Sequence, residues 1–103
     1  MLANRRAKIV ATIGPATQSP ENIEKAIIAG MNVARLNFSH GTHEDHLKVI
    51  QAVRQKSREL NAPVTILQDL QGPKVRVGLF EKGSIPLVPD QIVTVTIEDV
   101  LGK

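Results

Sequence analysis

Apolar and polar positions divide this chain into short hydrophobic runs that alternate with longer amphipathic stretches. Ile9 to Ile13, Val33 to Phe38 and Val64 to Leu67 are runs of strand length, bounded by turn formers. Between the first two, Ser19-Pro20-Glu21 sets a capping hydroxyl, a proline at the first helical position and an acid in the first turn. Ile23, Ala26 and Ile27 follow at helical spacing, and Gly30 ends the helix. A second helix starts near Thr42, with Asp45 three residues on as its partner in a capping box. It carries Val49, Ile50, Val53 and Leu60 on one stripe, and Asn61-Ala62-Pro63 stops it. The order strand, helix, strand, helix, strand predicts an α/β fold, βαβαβ, with a parallel sheet and right-handed crossovers.

Beyond Arg76 the pattern changes. Gly78, Gly83, Pro86 and Pro89 punctuate short extended pieces, and Ile92 to Ile97 is rich in β-branched residues. Residues 1–73 therefore read as the α/β part, and 74–103 as the beginning of a small all-β domain that lacks a closing element. The edge beside Val64 to Leu67 is open, so the isolated piece is expected to self-associate.

The middle run, Val33-Ala34-Arg35-Leu36-Asn37-Phe38-Ser39-His40-Gly41, begins apolar and ends in polar groups, at the carboxyl end where α/β sheets place their sites. Arg35, Asn37 and Ser39 share one parity and Ala34, Leu36 and Phe38 the other, so one face packs and the other meets something charged. Thr12 and Asp69 sit near the ends of their own runs, on the same edge. Arg35 suits a phosphate or carboxylate, gripped by two parallel hydrogen bonds; the alternative is a structural ion pair with Asp69 on the neighbouring strand. Asn37, Ser39, Asp69 and the carbonyl of Leu70 offer oxygens for a hard cation, the alternative being turn and capping contacts.

His40, His43 and His46 recur every three residues, but only His43 and His46 can share a helical face, so solvent-facing histidines are preferred over a metal cluster. Gly14-Pro15, Gly41 and Gly72-Pro73 read as tight turns. There is no Gly-x-Gly-x-x-Gly and no Walker-type loop, which removes the phosphate cradle of dinucleotide folds and P-loop enzymes. The helix beginning near Thr42 still offers amide hydrogens to a phosphate.

Composition narrows the picture further. The chain has 103 residues, 42% of them hydrophobic, enough for a modest core. The absence of cysteine excludes a disulfide framework and thiolate chemistry and fits the cytoplasm. No apolar run nears the roughly 20 residues of a membrane span, and Met1 to Lys8 lacks the apolar core of a signal peptide. A net charge of +3 suits phosphorylated small molecules. It also fits nucleic acid, but Phe38 and Phe80 are the only aromatic residues, too few for the usual base-stacking platform.

Three ordered motifs resemble the pyruvate kinase family. Lys8-Ile9-Val10-Ala11-Thr12-Ile13-Gly14-Pro15-Ala16-Thr17 is similar to its first barrel strand and turn. Ala34 to Gly41 is similar to its second strand, and Gln68-Asp69-Leu70-Gln71-Gly72-Pro73-Lys74-Val75-Arg76 to the end of its third and the crossing into its lid domain. The resemblance implies a partial (β/α)8 TIM barrel. Three strands cannot close such a barrel, which takes roughly 250 residues, so the chain reads as an amino-terminal fragment.

The resemblance also implies transfer of the phosphoryl group of phosphoenolpyruvate to ADP, giving pyruvate and ATP in glycolysis. Arg35 would bind the substrate phosphate. Asn37, Phe38, Ser39, His40 and Arg76 would lie against the nucleotide phosphates, and Asn37, Ser39, Asp69 and Leu70 would hold a monovalent cation. Family members that need potassium usually have Thr, Lys, Glu and Thr where this chain has Leu70, Gln71, Lys74 and Val77. The combination here resembles the potassium-independent branch, with the Lys74 ammonium in the cation's place; a unit charge about 4 Å from another is worth on the order of 4 kcal/mol at an effective dielectric near 20.

Mg2+ is implied as well, its Glu and Asp ligands and the catalytic lysine coming from later strands, so these 103 residues are expected to be inactive alone. The parent is expected to be a cytoplasmic homotetramer. The alternative from another class is a non-catalytic α/β module that binds a phosphorylated metabolite.

Overall fold

The computed structural model describes residues 5–103; of the stretch Met1 to Lys8, residues 1–4 lie outside the described residues. The chain forms two compact units, Met1–Gly72 and Pro73–Lys103. The first contains β1 (Ile9–Thr12), α1 (Pro20–Ala29), β2 (Met31–Asn37), α2 (His43–Glu59) and β3 (Thr65–Asp69). The strands form one parallel sheet in the order β1-β2-β3, so each strand pairs with its neighbour in sequence.

Local chemistry sets the helix limits. Ser19 accepts from the Asn22 amide at 3.2 Å, and Pro20 occupies the first turn, where its missing N–H costs nothing. Gly30 closes α1 at φ 120°, a backbone that favours glycine, and its amide meets the carbonyls of Ala26 and Ile27. Thr42 and Asp45 form the reciprocal capping box at the start of α2, each side chain accepting the other's amide at 3.2 Å. Donation to the Asp45 carboxyl by the Thr42 backbone amide, the larger cause, and by the Thr42 hydroxyl holds that carboxyl below its ordinary value.

Both helices cover one face of the sheet. Ile23 and Ile27 of α1 and Val49 and Val53 of α2 pack with Met31, Ala34 and Leu36 of β2, with Ala62 at the margin. Ile23, Ala34 and Val53 are wholly buried. Lys56 ties the helices at their surface, reaching Glu59 at 3.0 Å and Glu24 at 3.6 Å, and its hydrogen bond to Glu59 is the main cause that raises its pKa.

The alternation in β2 holds over Ala34 to Asn37, but Met31 is buried despite sharing parity with Arg35. The pairing explains it. Ile9 opposes Met31 while Val10 opposes Val33, so Asn32 is an extra residue and the parity flips across it. The side chain of Asn32 accepts from the Ile9 amide at 2.9 Å, and Arg5 bridges Asn32 Oδ1 at 3.0 Å to the Gly30 carbonyl at 2.6 Å.

In the second unit, Ile92 to Ile97 forms no strand among the described residues, although its side chains suit one. β-branched residues favour extended backbone but supply no ladder without a partner. The regular pairing there is a single bridge between Phe80 and Gly102, where a Cβ on Gly102 would come within 2.2 Å of the Phe80 ring.

Candidate functional site

The carboxyl edge of the sheet gathers the predicted residues because its register brings the ends of β2 and β3 level and sets the end of β1 two residues behind them. Thr12 lies opposite Arg35, Arg35 opposite Leu67, and Asn37 opposite Asp69. The ladder carries on into the loops, with the Ile13 amide on the Arg35 carbonyl at 3.0 Å and the Phe38 amide on the Asp69 carbonyl at 2.9 Å. The side chains that leave this edge therefore start from a rigid base.

Arg35 spans all three strands. Its Nε donates to Asp69 Oδ2 at 3.0 Å, its second terminal nitrogen also donates to that oxygen, and Nη1 donates to Thr12 Oγ1 at 3.0 Å. The ion pair weighed as the structural alternative is thus present. It is also open to water: the Arg35 and Asp69 side chains are 31% and 45% exposed. A partly exposed arginine whose guanidinium is held in a fixed plane remains available to an incoming anion.

Asn37 turns its side chain into the following loop, where Oδ1 accepts from the Ser39 amide at 3.1 Å, and its carbonyl accepts from the His40 amide at 3.2 Å. This short Asx turn carries Phe38, Ser39 and His40 round the strand end. Asn37 and Asp69 are register partners on adjacent strands, and Ser39 and Leu70 follow them closely in the chain, so four predicted cation ligands lie at one edge. Lys74 and Arg76 belong to the second unit.

The histidines depart from expectation. His40 and His43 are exposed, whereas His46 is half-buried. Its ring stacks on Phe38 with centroids 4.1 Å apart and planes at 14°, and its Nε2–H donates to the His40 carbonyl at 2.7 Å. Among the described residues no three His, Cys, Asp or Glu side chains converge as a metal site. Sequence periodicity did not single out His46, because the stack joins a strand end to a helix across a turn. A cleft between the β1–α1 loop and α2, lined by Pro15, Ser19, Asp45 and Lys48, lies away from the Arg35–Asp69 pair. No helix among the described residues is long and apolar enough to cross a membrane.

Comparison with known proteins places the sequence and the fold. Pyruvate kinase 2 of Synechocystis sp. is 55% identical over 93% of this chain and 17% of its own length. A pyruvate kinase of Thermococcus litoralis is 48% identical over 98% of this chain and 21% of its own. A crystal structure of a pyruvate kinase from Cryptosporidium parvum superposes with a TM-score of 0.70 at 42% identity, covering 76% of this chain and 16% of that one. The chain thus spans about a fifth of the length of the curated relatives it matches. The three-stranded sheet with its two helices is part of a barrel. Residues 4–103 match the model of the pyruvate kinase barrel domain, and the chain belongs to that family.

Proposed function

We propose that this chain supplies the phosphate-binding edge of a pyruvate kinase, which transfers the phosphoryl group of phosphoenolpyruvate to ADP. The observation that carries the reading is Arg35, anchored by Asp69 and Thr12 at the carboxyl edge with its side chain partly exposed. Phosphoryl transfer depends on positioning and on neutralising charge. Arg35 binds the substrate phosphate and holds it in a fixed orientation. Asn37, Phe38, Ser39 and His40 line the nucleotide side, joined by Arg76. The second unit is the beginning of the lid domain.

Mg2+, which the family generally uses, supplies neutralisation between substrate and nucleotide when bound, and its carboxylate ligands are expected outside these residues. A monovalent cation fits the oxygen set of Asn37, Ser39, Asp69 and Leu70, since a hard ion takes carboxylate, amide and carbonyl oxygens. We favour potassium independence, on the combination of Leu70, Gln71, Lys74 and Val77. The assembly proposed is a cytoplasmic homotetramer.

The test is pyruvate formation by the full gene product, followed with lactate dehydrogenase. ADP-dependent turnover of phosphoenolpyruvate that Arg35→Ala abolishes is expected. Binding of phosphoenolpyruvate without turnover would replace this reading with that of a binding module.

A further inference from the structure

We propose that His46 is a positioning residue for the nucleotide side of this site, acting through the backbone of the turn from Phe38 to Thr42. The proposal rests on the reading that Asn37 to His40 meet the nucleotide phosphates. One imidazole grips the turn at two points. Its face lies on the Phe38 ring at a centroid distance of 4.1 Å, and its Nε2–H donates to the His40 carbonyl at 2.7 Å. The hydrogen bond to a carbonyl requires the proton on Nε2, which sets the tautomer.

Two further observations show that the turn is built around this ring. Gly41 has φ 76°, and a Cβ there would stand 3.3 Å from His46 Nε2, so the ring occupies space that a side chain at residue 41 would need. His46 itself is fixed from behind: its amide donates to the Thr42 carbonyl at 3.1 Å, in the first turn of a helix that the Thr42–Asp45 box closes. The cap thus holds the helix, the helix holds the ring, and the ring holds the turn that carries Ser39 and His40. His40 and His43 have no such role, since both are exposed and the His43 ring lies 6.2 Å from Phe38 at a tilt.

Three variants in the full gene product test this. His46→Phe keeps a ring for the stack and removes the donor, His46→Gln restores a donor without the ring, and His40→Ala removes a proposed nucleotide contact while keeping the gripped carbonyl. Expected for His46→Phe is faster amide hydrogen exchange over residues 39–42 and a KM for ADP raised about five-fold, the effect of one lost neutral hydrogen bond. The KM for phosphoenolpyruvate should stay within about two-fold, because Arg35 is held by other strands, and His46→Gln should recover part of the ADP effect. Unchanged exchange in His46→Phe overturns the proposal. So does an unchanged KM for ADP: if His40→Ala still raises that KM, positioning fails alone, and if neither variant moves it, the nucleotide reading fails too.

Discussion

Replacing Arg35 by methionine in the full gene product separates the two roles that its geometry allows. In the structure the guanidinium makes two hydrogen bonds to Asp69 Oδ2 and one to Thr12 Oγ1. The paired side chains are 31% and 45% exposed, so water resolvates the carboxylate left behind. The stability cost is therefore about 1 kcal/mol, the upper end for a solvent-exposed pair, and the melting temperature should fall by only a few degrees. Catalysis should suffer far more. Two charge-assisted hydrogen bonds to a phosphate, each worth about 1.5–3 kcal/mol, correspond to a loss of about 10²- to 10⁴-fold in kcat/KM for phosphoenolpyruvate. The lactate dehydrogenase-coupled rate and a thermal melt, run on the same preparations, read both quantities. A kcat/KM within about ten-fold of the parent, or a melting temperature lowered by about ten degrees or more, would refute the assignment and leave Arg35 as a structural strut.

Ile23→Ala should cost about 2–5 kcal/mol, because a wholly buried side chain between α1, β2 and α2 leaves a cavity; a loss below about 1 kcal/mol in thermal or denaturant melts would contradict this packing. Asp45→Asn should lower the melting temperature at neutral pH. The folded-state pKa of Asp45 is depressed, so its contribution is complete above the ordinary value of 3.8 and disappears as the pH falls through the folded one. The gap between parent and variant should close in that acidic range, and a gap independent of pH would count against the capping box as its source. Adding KCl to a potassium-free assay should leave turnover nearly unchanged if the Lys74 ammonium replaces the cation; a several-fold activation would restore the ion to the Asn37–Asp69 edge.

Much of this architecture was legible because each element carries its own stop signals. Ser19-Pro20, Gly30 and the Thr42–Asp45 pair sit at helix boundaries in the structure as in the sequence, since capping is decided within a few residues. The gathering of Thr12, Arg35, Asn37 and Asp69 followed from strand order and parity alone. Less visible was anything that depends on contacts distant in sequence. The bulge at Asn32, which reverses parity and buries Met31, depends on Arg5 and Ile9 more than twenty residues away. His46 looked like a surface histidine because the Phe38 ring that receives it belongs to another element. Ile92 to Ile97 had the composition of a strand, but pairing is a property of two segments and composition speaks for one.

The sheet grows in the order in which its strands are synthesised, β1 beside β2 beside β3. On a ribosome this allows assembly by accretion: each crossover closes over a short stretch of chain, and the entropy cost of closure rises only slowly with length. α1 already lies against β2 and α2 in one shared core, so the nascent unit need not wait for distant sequence to find its register. Its outer strand, Thr65–Asp69, is then the growing edge, able to template the next parallel strand. Until that strand arrives, the same edge is a point at which a second nascent chain can pair in error.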